Sequence, residues 1–184
     1  MKIKGSSVQQ TIDFVKEKYP SRYEEWLGTL PAETRKIMTG LVMPVLWYPL
    51  QEGVIIPTMH IGNLFYNDPI KGSHEVGRYS AEKALKGIYK VFVRISTPSF
   101  MISRASSIFL SYYDNAQIQA VEINSKKTEL LFFNFTEDEK FIFHRVAGWV
   151  EGALSVLKAK NTKTLVDFYT KEQKFACKIT ITWE

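Results

Sequence analysis

The side chains best suited to hold a soft metal or relay a proton near neutral pH are scarce in this chain: three histidines, His60, His74 and His144, and one cysteine, Cys177. They lie far apart in sequence. His74 adjoins Glu75, but neighbouring residues on a helix point away from each other, so the pair is no acid–base device. A nucleophile elbow, a phosphate loop, a dinucleotide-binding glycine pattern and a His-Glu-x-x-His zinc helix are all absent. The acidic run Glu137-Asp138-Glu139 stands where a helix is predicted to begin, and negative charge there offsets the macrodipole. Lys158, Lys160, Lys163, Lys171 and Lys174 gather around that helix's end and the segments after it, again a dipole-compensating, solvated group. Nucleic acid would call for arginines and exposed aromatics interleaved on one face, whereas the aromatics here fall at core-facing positions, so it is not an expected partner. These absences leave a non-enzymatic reading.

What the chain has in excess is aromatic surface: 12 Phe, 9 Tyr and 4 Trp, 14% of its residues. Large rings on a helical layer can fill the space against a sheet or surround a guest there, the usual setting for a small hydrophobic ligand. Trp47, Tyr48, Tyr89, Phe109, Tyr112 and Trp149 are the candidate lining residues, with Arg78 and Arg104 placed to meet a ligand's carboxylate or phosphate. The guest expected is a small apolar molecule or a lipid. A solid core with exposed apolar patches is the alternative, and would make the chain an interaction scaffold working as a homodimer or with a related protein.

The elements that must position these residues are legible in the punctuation. Ser6-Ser7 caps a first helix with Val8, Ile12 and Val15 on one face, closed by Pro20; two short helices follow, around Trp26 and around Ile37-Met38. Pro44 to Leu50 reads as an apolar linker, and the stretch from Ile55 to Leu64 as helix interrupted at Pro57. Ser73 starts a clear helix through Tyr89, with Arg78 and Glu82 as an i,i+4 pair, and Pro98 opens another reaching Tyr112-Tyr113. Beyond Asp114 the period changes. Ile118–Ile123 and Leu130–Phe135 flank an Asn-Ser-Lys turn, a helix runs from Glu137 with Ile142, Val146 and Trp149 inward, and two final strands turn at Lys171–Gln173. Phe175, Cys177, Ile179, Ile181 and Trp183 alternate and must face a core. The predicted class is α+β: a helical N-terminal layer to about residue 114 on a four-stranded antiparallel sheet of β-β-α-β-β order, all in one domain over 1–184.

The chain has 184 residues, 45% hydrophobic, with 24 basic and 19 acidic side chains for a net charge of +5. That length suits one sizeable core and its composition excludes disordered and collagen-like classes. A lone cysteine, a polar start without a secretory signal and no run of about 20 apolar residues favour a cytoplasmic protein without a transmembrane segment.

The Lys4-Gly5-Ser6 opening, Trp47-Tyr48-Pro49, the stretch from Gly77 to Glu82 with Gly87-Ile88-Tyr89, Ala147 to Leu154 and the close from Cys177 to Trp183 together resemble an uncharacterised paralogous family abundant in myxobacteria. The C-terminal half is also similar to the 4-vinyl-reductase-type domain, grouped by fold with haem nitric-oxide sensors and with subunits of the Golgi transport particle (TRAPP). That resemblance implies a ligand- or partner-binding domain, often dimeric, without catalysis. Where the 4-vinyl-reductase-type pattern has cysteines, this chain has His144, Tyr169 and Cys177, so His144 and Cys177 are the only candidates for zinc and leave half a tetrahedral site unfilled. The haem sensors carry a Tyr-x-Ser-x-Arg signature and an axial histidine, and the signature is missing here. The expectation from sequence is therefore a sensory or adaptor domain with no cofactor, haem and zinc both set aside.

Overall fold

The computed structural model describes residues 1–86 and 97–184; the Tyr89 position falls outside them. Strand β1 (Lys2–Lys4) leads into helix α1 (Gly5–Lys18), which buries Val8, Ile12, Phe14 and Val15 and ends where Tyr19 meets Pro20. Short helices α2 (Tyr23–Thr29) and α3 (Ala32–Thr39) follow, then strand β2 (Trp47–Pro49). The apolar linker expected at Pro44–Leu50 is thus corrected: its centre pairs antiparallel with β1, Ile3 opposite Tyr48. Three-residue strands are too short to give an alternating pattern.

Helix α4 (Ile56–Ile61) is flanked by π-helical turns Gln51–Ile55 and Gly62–Tyr66, so Pro57 does not break the run; it occupies a first-turn position whose N–H needs no partner. Helix α5 spans Pro69–Lys86. It starts four residues before the predicted Ser73, because Asp68 caps it, accepting from the amides of Ile70 (2.8 Å) and Lys71 (3.2 Å), with Pro69 at the first position. Glu82 pairs with Lys86 at 3.3 Å rather than with Arg78. The helix expected from Pro98 to Tyr113 is two, α6 (Pro98–Ser103) and α7 (Ala105–Leu110), hinged at Arg104.

The second part follows the sequence reading closely. Strands β3 (Gln117–Asn124) and β4 (Lys127–Phe133) form a hairpin, helix α8 (Phe141–Val156) comes next, and β5 (Lys163–Lys171) and β6 (Lys174–Thr182) form a second hairpin. The sheet is antiparallel in the order β3-β4-β6-β5. Glu172 and Gln173 both have positive φ, as a two-residue hairpin turn with the strands' own twist requires. On β6, Cys177, Ile179 and Ile181 are fully buried and Trp183, just beyond the strand, is buried too. The acidic run before α8 works as a helix start: Thr136 and Glu139 form a reciprocal capping box.

Helix α8 lies between the sheet and α5. Its contact with α5 is backbone to backbone, since a methyl group at Gly77 would overlap the carbonyl of Arg145 and one at Gly148 would overlap the carbonyl of His74. Replacing either glycine by alanine should lower the unfolding free energy by about 1–3 kcal/mol, the cost of overpacking a tight contact. Urea denaturation of Gly77→Ala and Gly148→Ala measures this; wild-type stability in both would remove the contact from the account.

Candidate ligand site

Helix α8 carries a residue at odds with its environment. Arg145 sits on the apolar stripe between Ile142 and Trp149, three residues after one and four before the other, and is only 6% exposed. Its guanidinium is held by neutral oxygens from three other helices. Nη1 donates to Thr11 Oγ1 at 2.7 Å and to Thr58 Oγ1 at 3.2 Å; Nη2 donates to the Ser7 carbonyl at 3.0 Å and reaches Ser80 Oγ at 3.5 Å. The Thr11 hydroxyl donates to the Ser7 carbonyl, and that of Ser80 to the Val76 carbonyl, so both oxygens are turned to accept from the arginine. Burial away from any carboxylate pushes the guanidinium down to about 10.

Beside Arg145 the packing leaves a cleft of about 30 Å³, room for roughly two water-sized groups. Ser7 and Gln10 of α1, Ser80 of α5, and Tyr112 and Tyr113 after α7 supply its polar edge; Phe109 and Trp149 supply an apolar one. Phe109 and Trp149 meet edge to face with centroids 5.3 Å apart. Burial raises the Tyr113 phenol, keeping it neutral. Gln10 and Tyr112 are shared with an outer groove of about 500 Å³ between α1 and α5, edged by Lys4, Asp13 and Lys83.

Of the residues picked out from sequence, the structure brings Phe109, Tyr112 and Trp149 together here. The other described ones lie elsewhere. Trp47 is 41% exposed with the Lys4 ammonium over its ring at 3.8 Å, and Tyr48 is half-buried with its hydroxyl accepting from the Met43 amide. Arg104 is exposed at the α6–α7 hinge, stacked on Phe100, and Arg78 lies on α5 with its carbonyl against Gly152. His144 packs beside Phe168 and Cys177 is enclosed in β6, where burial raises its thiol; the described residues contain no cluster of three metal-ligating side chains. The residues that composition missed are Arg145, Tyr113, Ser7 and Ser80. An arginine inside the apolar stripe of a predicted helix was the available signal.

A second polar cluster joins α5, α8 and β5. His74 Nε2 lies 3.1 Å from Glu151 Oε2, and Thr164 donates to Glu151 Oε1 at 2.6 Å. Burial alone would raise the Glu151 carboxyl, but the bonds from His74 and Thr164 outweigh it and hold the group below its ordinary value of 4.5.

The fold has solved counterparts. A mutant H-NOX domain from T. tengcongensis is 13% identical and matches 98% of this chain and 97% of its own, with a TM-score of 0.72. The Fe(II) unliganded H-NOX protein from K. algicida is 8% identical over 98% of this chain and 96% of that one, also at 0.72. An H-NOX domain used to probe haem distortion is 14% identical over 98% and 95%, at 0.73. The chain has the H-NOX fold. No family model matches it and no curated protein matches it by sequence.

These counterparts correct the expectation of a chain without a cofactor, since the fold is one that carries haem and haem is the cofactor it implies. The side chains present at the cleft give a different answer when tested for that group. Haem iron is held by His, Cys, Met or Tyr. None of the three histidines lines the cleft, His60 being bonded to Thr29 at 3.1 Å, and of the lining residues only Tyr112 and Tyr113 carry such an atom. A cofactor pocket spans about 300 Å³ or more, against about 30 Å³ in the cleft that Phe109, Tyr113 and Trp149 line. In this packed arrangement the residues do not fit a haem.

The His74–Glu151–Thr164 bridge yields a pH prediction. The folded carboxyl titrates below the unfolded one, so its contribution to stability is complete above about 4.5 and is lost as pH falls through the lower folded value. Glu151→Gln should flatten the acid limb of a stability–pH profile from urea denaturation; an unchanged limb would contradict the bridge.

Proposed function

We propose that this chain is a ligand-binding sensor domain, non-enzymatic, whose ligand enters where α1, α5 and α8 meet the segment after α7. The observation that carries the reading is the mixed cleft on Arg145 inside a fold shared, over nearly the whole chain, with H-NOX domains. An apolar wall of Phe109 and Trp149 facing serines, tyrosines and a buried guanidinium suits a guest with an apolar body and a polar head. The cleft borders α8, the helix clamped to α5 and laid on the sheet, so a guest that shifts Trp149 shifts the element joining both layers.

Native mass spectrometry of protein purified from cells, with an absorption spectrum before and after adding haemin, tests the reading. The expected result is a bound small molecule, or saturable uptake of one, that alters Trp149 fluorescence and is weakened at least tenfold in Trp149→Ala. A protein that takes up neither haemin nor any cell-derived molecule would overturn it.

One observation favours the scaffold reading as a second: Leu41, Met43, Val45 and Leu46 stand exposed on the α3–β2 loop, Leu41 at 87%. If that loop joins two copies, sedimentation should show a concentration-dependent dimer that Leu41→Glu abolishes; a monomer at all concentrations rejects it.

A further inference from the structure

The Arg145 charge is unanswered among the described residues. It makes no ion pair among the described residues, and residues 87–96 contain no Asp or Glu to supply one. Its four terminal N–H groups are spent on neutral oxygens, and no hydrogen bond to Nε is found among the described residues. The hydroxyl of Tyr113, which lines the same cleft, likewise has no hydrogen-bond partner among them, and no carboxylate lines it. A buried cation held only by dipoles is costly unless something compensates its charge, and an anion in the cleft beside it would supply that charge.

Resting on the sensor reading above, we infer that the cleft is an anion site: Arg145 recognises a carboxylate or a carboxylate-shaped anion, with Tyr113 and Gln10 as further donors. The 30 Å³ of free space matches a head group and no more. Such an anion has two sources. It is a free small species such as formate or nitrite, or the head of a short fatty acid whose chain passes Tyr112 into the outer groove. The shared chemistry is the same, and chain length separates them.

The full-length protein is titrated with sodium formate, sodium nitrite and sodium octanoate at constant ionic strength, with HEPES, a bulky sulfonate that carries no carboxylate, as the balancing anion. Trp149 fluorescence and the thermal midpoint are followed together. Saturable change with formate or nitrite identifies a free anion; change with octanoate alone identifies an acyl head. Either outcome requires that Arg145→Met weaken binding by about tenfold or more, the loss expected for a charge-assisted hydrogen bond. Trp149→Phe, which keeps the thermal readout, shows that the fluorescence change arises at the cleft. Should Arg145→Met fail to fold, Tyr113→Phe replaces it, with an expected loss of about threefold to tenfold. No saturation with any of the three anions overturns the inference. If haemin or a cell-derived neutral molecule still binds, the sensor reading survives without it; if nothing binds, both fall.

Discussion

The close approach of α5 and α8 is the constraint on which the rest of the molecule depends. Two helices whose backbones touch at Gly77 and Gly148 cannot slide or rotate without collision, so every side chain on either helix inherits a fixed position. Arg145 is placed by this contact at both ends: its own carbonyl rests on Gly77, and its guanidinium reaches Ser80 one turn further along α5. The His74–Glu151 pair spans the same seam, and the carbonyl of His74 rests on Gly148. On its opposite side α8 meets the sheet through Phe143, which packs edge to face with Phe132 and Phe135. One helix thus couples a polar helical layer to an aromatic sheet face.

H-NOX domains share this architecture across almost their whole length. In this chain Phe109, Tyr113 and Trp149 line a small cleft beside the buried guanidinium of Arg145. A charge enclosed among hydroxyls and carbonyls responds strongly to a compensating group, because a buried pair is screened less than one in bulk water.

Much of this was legible in the sequence, for definite physical reasons. The second half was read well because its signals are periodic: alternation from Cys177 to Trp183, a turn at Asn124–Lys126, and the acidic start of α8 each have one structural solution. The pairing of β1 with β2 was not, since its strands contribute three residues each and are separated by some forty more. The start of α5 was misplaced because Ser73 and Asp68 can both cap a helix, and only Asp68 precedes a proline. Aromatic excess picked out Phe109, Tyr112 and Trp149, which line one cleft, but also Trp47, which the Lys4 ammonium over its ring holds at the surface. Arg145 went unnoticed because a count of charged residues does not reveal that one of them lies on a helix's apolar face. The haem signature is missing from the sequence, although the fold implies that cofactor.

The central claim is that an anion can occupy the cleft against Arg145. Crystals soaked in sodium bromide test it most directly, because anomalous scattering locates the ion without reference to any model of the ligand. An anomalous peak in contact with the Arg145 guanidinium and the Tyr113 hydroxyl is the predicted result. Bromide bound at surface lysines with none at Arg145 would contradict it.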